Sequence, residues 1–356
     1  MVTRLIIVGG FLGAGKTTLM LQAAQQLTAM GYRVGLVTND QGTNLVDTAL
    51  VSQQHFPVTE VSGSCFCCAF PDLLQALRQL HEQTQPDVVL AEPVGSCTDL
   101  VSTVLRPLQL YYPTQFELAP LSVLLDVTRD PNQFSEMVSY LFDRQLTEAE
   151  IILLNKVDLL DNSARTEQLN RLQDRYPQKP LLSLSARSGA GVRAWLDLVL
   201  GQGSSSSDDL AVDYERYAQA EAELGWLNVN GAVRSSAPFS ARRWLFDLLN
   251  VLARSLEGFP IAHIKTYVTT TRAAFKASLT QTGMPLSLDV DTADVPTDKL
   301  DFTLNARVHI DPQTLQALVL QAIEAVKPHP FSRYYLTHFE CFRPSPPRPT
   351  HRLAAT

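Results

Sequence analysis

A chain of 356 residues is too long for one ordinary small domain, and 45% hydrophobic against 18% charged residues can fill two cores. A formal net charge of -7 gives no electrostatic reason to bind nucleic acid or an anionic membrane surface. Five cysteines, three of them crowded together, make no even disulfide framework, so a cytoplasmic protein in a reducing compartment is expected.

The first apolar run, "LIIVGGFLGAG", lacks the basic flank of a signal peptide and runs straight into Lys16-Thr17-Thr18. Its first part, "RLIIVG" (4–9), reads as a strand, and Thr17–Met30 reads as an amphipathic helix. Between them "GFLGAGKT" (10–17) matches G-x-x-x-x-G-K-[ST] in the strand–loop–helix context that motif needs. Backbone N–H groups from Gly10, Gly13, Ala14, Gly15 and Thr18 can close around phosphates at a helix N-terminus. Lys16 is the expected partner of the β- and γ-phosphates, and the Thr17 hydroxyl the expected ligand of Mg²⁺.

A second strand, "RVGLVT" (33–38), leads into the polar stretch "NDQGTNLVD" (39–47), placed to respond to a γ-phosphate, with Asp40 and Asp47 as its candidate carboxylates. Next comes "VSGSCFCCAF" (61–70), followed by a helical pattern over Asp72–Glu82. Cys65, Cys67 and Cys68 on a loop beside the phosphates suit a soft divalent ion such as Zn²⁺; buried thiols and a redox centre are the competing readings. The strand "DVVLAE" (87–92) ends at Glu92, expected to hold Mg²⁺, and Gly95 just beyond can offer its N–H to the γ-phosphate. Asp126, closing "LSVLLD" (121–126), is taken as structural.

"EIILLN" (150–155) delivers Asn155-Lys156-Val157-Asp158, which suits guanine: the Asp158 carboxylate accepts from the ring N1–H and the exocyclic amine, which adenine cannot match. Asn155 holds the base edge and the stem of Lys156 covers the ring. After a helix over Ser163–Arg175 and the strand "PLLSLS" (180–185), "LSAR" brings Ser185 and Ala186 to the guanine oxygen. Strands that are apolar throughout, alternating with helices, predict a P-loop NTPase domain, α/β with a mostly parallel doubly wound sheet, over residues 1–200.

"GQGSSSSDDL" opens a flexible linker, placed at 201–212. From 213 to 341 the pattern becomes strand, helix, strands, helix, strand, a smaller ferredoxin-like α+β domain with a loop or hairpin insertion at 283–300. The tail, 342–356, is rich in proline and expected to be disordered. Cys97 and Cys341 stand alone and receive no role, and seven scattered histidines offer no metal cluster.

"GFLGAGKTT", "NDQG", "GSCFCC" and "NKVD", in that order, resemble the CobW-like metallochaperone GTPases, relatives of HypB and UreG. The resemblance covers about the first 190 residues and, less distinctively, the second domain. It implies a transferred metal on Cys65, Cys67 and Cys68 with Asp40 assisting, and GTP hydrolysis gating delivery to a client metalloprotein. Where many members read Glu-Thr-Ser-Gly, this chain reads Glu92-Pro93-Val94-Gly95, and the His-rich stretch of many members is missing.

The expectation is therefore a slow GTPase using GTP and Mg²⁺, carrying Zn²⁺ or another divalent ion such as Co²⁺ or Ni²⁺. Its partner is a client metalloprotein, with a homodimer left open. Two alternatives stand beside it: a GTP-dependent assembly switch whose zinc is purely structural, and a chaperone for a cobalamin-type cofactor.

Overall fold

Residues 5–8, Leu-Ile-Ile-Val, leave no polar face, so the strand they form must be covered on both sides. The computed structural model, which describes residues 2–42, 46, 56–205 and 210–354, buries strand β1 (Thr3–Gly10) along its whole length. Helix α1 (Lys16–Ala29) follows directly. Then come β2 (Val34–Asp40), β3 (Val58–Ser62), helix α2 (Phe70–Thr84) and β4 (Val88–Ala91). Beyond them are α3 (Arg106–Tyr111), β5 (Phe116–Leu118), β6 (Ser122–Asp126), α4 (Glu136–Glu148), β7 (Ile151–Asn155), α5 (Asn162–Arg175), β8 (Leu181–Ser183) and α6 (Val192–Gly201).

The strands form one sheet in the order β3-β2-β4-β1-β6-β7-β8, with β5 also against β1. Every described pairing in it is parallel. Ile6 and Val8 of β1 share a core with Leu19, Met20, Ala23 and Leu27 of α1 and with Trp195 and Val199 of α6. Register then decides the chemistry. Val37 lies opposite Ala91, Ile7 opposite Ala91 on the other side, and Asp126 opposite Asn155. The residues that follow these positions emerge together at the carboxyl edge of the sheet, where open α/β sheets bind ligands.

The second unit is antiparallel. Helix α7 (Tyr214–Ala222) is followed by β9 (Gly225–Phe239), α8 (Ala241–Ser255), β10 (Ile261–Thr269), β11 (Ala274–Leu279), β12 (Ser287–Asp291), β13 (Thr297–Val308), α9 (Pro312–Ala325) and β14 (Arg333–Phe342). Ser240 and Asp311 cap the two long helices by accepting from Arg243 N and Thr314 N. The sheet order is β12-β11-β10-β13-β9-β14. Its last four members reproduce the ferredoxin-like arrangement, and the expected insertion supplies the added edge strand β12. Leu245, Leu248, Leu249 and Leu252 of α8 and Leu315, Val319 and Ile323 of α9 pack in one core with Val229, Ile264, Leu304 and Ala306 of the sheet.

The units are drawn differently from the expected domains. One comprises Met1–Gln41, Val51–Tyr217 and Pro346–Thr356, the other Gly42–Leu50 and Ala218–Ser345. The linker placed at 201–212 starts inside α6, and Ser204 and Ser205 are bound to Glu150; residues 206–209 of it lie outside the described residues.

The tail departs most from expectation. Prolines exclude helix and sheet there, but an extended segment can still satisfy its N–H groups against another part of the chain, and fixed φ angles lower the cost of ordering it. Thr350 N donates to Cys67 O and Leu353 N to Ser102 O, both at 2.9 Å. Arg352 pairs with the buried Asp99 at 2.8 Å.

Candidate functional site

The phosphate loop closes on itself. Lys16 Nζ donates to the Gly10 carbonyl at 2.9 Å, which holds the ammonium across the loop mouth. Gly15 has φ 100°, and a Cβ there would meet Asn155 Nδ2 at 2.5 Å, so only glycine fits. Asn155 in turn donates to Ala14 O at 2.7 Å and accepts from Ala186 N at 2.9 Å. One buried amide thus ties the phosphate loop, the Asn-Lys-Val-Asp segment and the 184–187 loop together.

Thr17 and Glu92 come together: the Thr17 hydroxyl lies 3.1 and 3.0 Å from the two Glu92 carboxylate oxygens. Both are buried, and both offer hard oxygen donors, a set that fits Mg²⁺. Gly95 approaches the phosphate loop so closely that a Cβ would meet Leu12 N at 2.9 Å. Asp158 is exposed at the start of a short 3-10 turn, available to a base edge. Lys156 takes a left-handed backbone, φ 65°, and its ammonium bonds Asp126 at 2.6 Å. Asp126 also accepts from the Thr128 N–H and hydroxyl, in agreement with its assignment to structure. Ser185 is buried and its hydroxyl accepts from Ser188 N at 3.2 Å.

The cysteine loop is a single turn leading into α2. Cys68 N and Ala69 N both donate to Cys65 O, at 3.0 and 2.8 Å. Phe66, fully buried, anchors the turn, a burial worth on the order of 2–3 kcal/mol. The three sulfurs lie within 4.8 Å of one another, 2.8 Å from Cys65 to Cys67 and 3.7 Å from Cys67 to Cys68. Hydrogen bonds from Cys67, Cys68 and Cys97 hold the Cys65 thiol well below the ordinary range. The same contacts push Cys67 well above it, and the bond to Cys65 pushes Cys68 up to about 11. Three sulfurs this close together make a donor set that suits a soft cation.

Asp40 ends β2 opposite Ser62, and its carboxylate is not among the groups within 4.8 Å of the three sulfurs. Asp47 and residues 43–45 lie outside the described residues.

Two residues that the sequence reading passed over belong to the site. Asn39 uses its whole amide: Oδ1 accepts from Phe66 N at 3.0 Å and Val94 N at 3.2 Å, while Nδ2 donates to Val61 O at 2.8 Å and Ser64 O at 2.7 Å. It bolts the cysteine loop to the segment after Glu92. Cys97, which stands alone in the sequence, is buried and acts on the Cys65 and Cys67 thiols, although its sulfur is not one of the three that lie within 4.8 Å of one another. No spacing rule exposes either; only the polar "TND" at the end of an apolar strand hinted at Asn39.

Among the described residues no helix is long and apolar enough to cross a membrane. Residues 4–182 match the family model described as "CobW/HypB/UreG, nucleotide-binding domain". The zinc chaperone CobW of a Sinorhizobium species is 26% identical over 246 residues, 62% of this chain and 68% of that protein. The zinc chaperone CobW of Pseudomonas aeruginosa is 30% identical over 189 residues, 44% of this chain and 50% of that protein. The zinc chaperone YeiR of Escherichia coli is 31% identical over 160 residues, 44% and 47% of the two chains. The chain spans about half the length of these last two.

Proposed function

Since this chain belongs to the CobW/HypB/UreG family of nucleotide-binding proteins, we propose that it is a slow GTPase that couples its nucleotide state to delivery of a divalent metal, zinc first, to a client metalloprotein. One observation carries the reading: three thiols within 4.8 Å of one another sit on a loop that Asn39 joins to the segment following Glu92. Three relatives that bear the name zinc chaperone support zinc as the cargo, as does the softness of a thiolate donor set.

The roles of the chain's own groups follow from where they stand. Lys16 exchanges the Gly10 carbonyl for phosphate oxygens when nucleotide enters. Thr17 and Glu92 hold magnesium, which when bound spreads the charge of the transferring phosphoryl. Gly95 offers its N–H beside the loop, and Asp158 selects guanine. Asn155, Ser185 and Ala186 fix the base loop against the phosphate loop, so that both ends of the nucleotide are read by one rigid body. Asp40, at the end of β2, is the carboxylate that GTP would draw toward the metal.

The test is a zinc titration against a competing chelator, with GDP and with a non-hydrolysable GTP analogue, alongside a Cys67→Ala/Cys68→Ala double mutant. Coupling requires different affinities in the two states and loss of both in the mutant. Zinc held equally tightly with either nucleotide would instead mark a structural ion in a GTP-dependent switch.

A further inference from the structure

Residues 348–353 run along the cysteine loop, within the same compact unit. Cys65 and Cys67 are buried and Cys68 is half-buried, so Cys68 is the sulfur that an exchanging ligand reaches first. The tail lies against it. Arg348 N donates to Cys68 Sγ at 3.0 Å, and the Thr350 N–H and hydroxyl donate to the carbonyls of Cys67 at 2.9 Å and Cys68 at 3.0 Å. The His351 ring then meets Phe70 of α2 edge-on at 5.0 Å and Tyr111 of α3 at 5.5 Å. Leu353 uses both backbone groups, donating from its N–H to Ser102 O at 2.9 Å and accepting from Arg106 Nη1 at 2.7 Å.

The groove has one charged anchor. Asp99 is fully buried, and its carboxylate accepts from Arg352 Nε at 2.8 Å and from the Tyr214 hydroxyl at 2.6 Å. Arg352 donates at the same time from Nη2 to Leu210 O at 3.0 Å, a fork that a lysine lacks. A buried carboxylate left without its cation is costly, so the position suits a guanidinium. The segment that supplies it is lightly held. No residue of 346–354 is buried, so polar contacts and ring edges fix it, not core packing. Such a segment can open without unfolding its host. Pro346, Pro347 and Pro349 keep it extended while released, which lowers the cost of docking again.

We propose that residues 348–353 are a reversible strap occupying the groove in which an extended, arginine-bearing segment of the client docks, and that the exchange uncovers Cys68. This rests on the cysteine loop being the cargo site. The occupant is a polypeptide because the groove offers backbone partners in extended register: Cys67 O for one residue, Ser102 O and Arg106 for another three further on. It carries an arginine because Asp99 and Leu210 O together take one. Docking places the client's own ligands beside the sulfur that the strap had shielded.

Maleimide labelling of Cys68, located by mass spectrometry in the metal-free whole chain, tests the strap. Thr350→Pro removes both donors of that residue, and Arg352→Ala removes the guanidinium. With both changes, labelling of Cys68 is expected to quicken at least about tenfold while the half-buried Cys341 reacts as before. A synthetic peptide of residues 346–356, in excess, is expected to slow labelling of the variant again; the same peptide carrying Arg352→Ala is not. Equal labelling of Cys68 in wild type and variant would overturn the strap. Quickened labelling that the peptide fails to slow would remove the groove as a docking site. Zinc loss to a competing chelator is expected to follow the order of labelling. Where labelling and peptide behave as stated but the cysteines hold no zinc, strap and groove stand and the carrier reading falls. Hydrogen exchange on the unmodified protein decides the matter where the variant does not fold. The Thr350 and Leu353 amides are expected to be protected, yet to open well before those of β1; no protection, or protection equal to that of β1, refutes a reversible strap.

Discussion

The hydroxyl of Thr17 lies 3.1 and 3.0 Å from the two carboxylate oxygens of Glu92, joining the first turn of the phosphate-binding helix to the end of a strand 75 residues later. Both partners are buried, so the pair is a polar island that a hard cation can enter by replacing one hydrogen bond. Glu92→Gln keeps the shape and removes the charge. We expect GTP hydrolysis to fall by about a hundredfold or more, with nucleotide still bound, and the magnesium concentration for half-maximal turnover to rise. Phosphate release against magnesium concentration checks this.

Asn39 should be among the costliest single polar residues in the first unit. Asn39→Ala strips four backbone groups, Phe66 N, Val94 N, Val61 O and Ser64 O, of a partner within buried surroundings. A loss of about 2–4 kcal/mol is expected, the sum of unsatisfied groups that water reaches only in part. Urea unfolding measures it, and hydrogen exchange should show residues 63–69 and 93–97 opening together.

Base choice falls on Asp158. Asp158→Asn turns one of two acceptors into a donor facing the N1–H or amine of guanine. GTP affinity should drop roughly 10- to 100-fold, the cost of one charge-assisted hydrogen bond, while ATP affinity stays where it is. A competition assay with fluorescent GDP distinguishes this from general loss of the site.

Glu148 gives the metal-free protein a pH dependence. Burial first, and then the neighbouring Asp99 carboxylate, push its carboxyl from 4.5 up to about 8, against the help of the Thr98 hydroxyl and the N–H groups of Leu100 and Val101. Asp99 is itself paired with Arg352 and accepts from the Tyr214 hydroxyl at 2.6 Å. Between about 4.5 and 8 the folded chain keeps a proton that the unfolded chain releases, so stability falls as pH rises through that window. Glu148→Gln should flatten the slope, read from urea midpoints at a series of pH values.

What the sequence disclosed and what it withheld divide by distance along the chain. The phosphate loop, the Asn-Lys-Val-Asp segment and the three cysteines each lie within eight residues, and β1, β7 and α1 were legible because apolar runs of those lengths have few other places to go. Asn39 works through partners 22 to 55 residues away. Cys97 reaches the other thiols only because the sheet brings β2 and β4 side by side. The tail looked disordered because its own composition has nothing to fold with; its partners lie elsewhere in the chain. Composition reports what a segment can do alone, and each of these segments is settled by company.

The docked tail has a consequence for how the protein is made. Arg348 N donates to Cys68 Sγ at 3.0 Å across 280 residues of chain. At roughly 5–20 residues per second, a ribosome needs on the order of 15–60 seconds to add that stretch after the cysteines have been synthesised. During that interval the thiols lack the cover of the tail, and residues Ala218–Ser345 of the second unit are still to come. The nascent chain is therefore open to metal ions and oxidants before the tail can shield the loop. For a carrier of the kind proposed, the metal supply at that moment would count alongside the affinity of the finished fold.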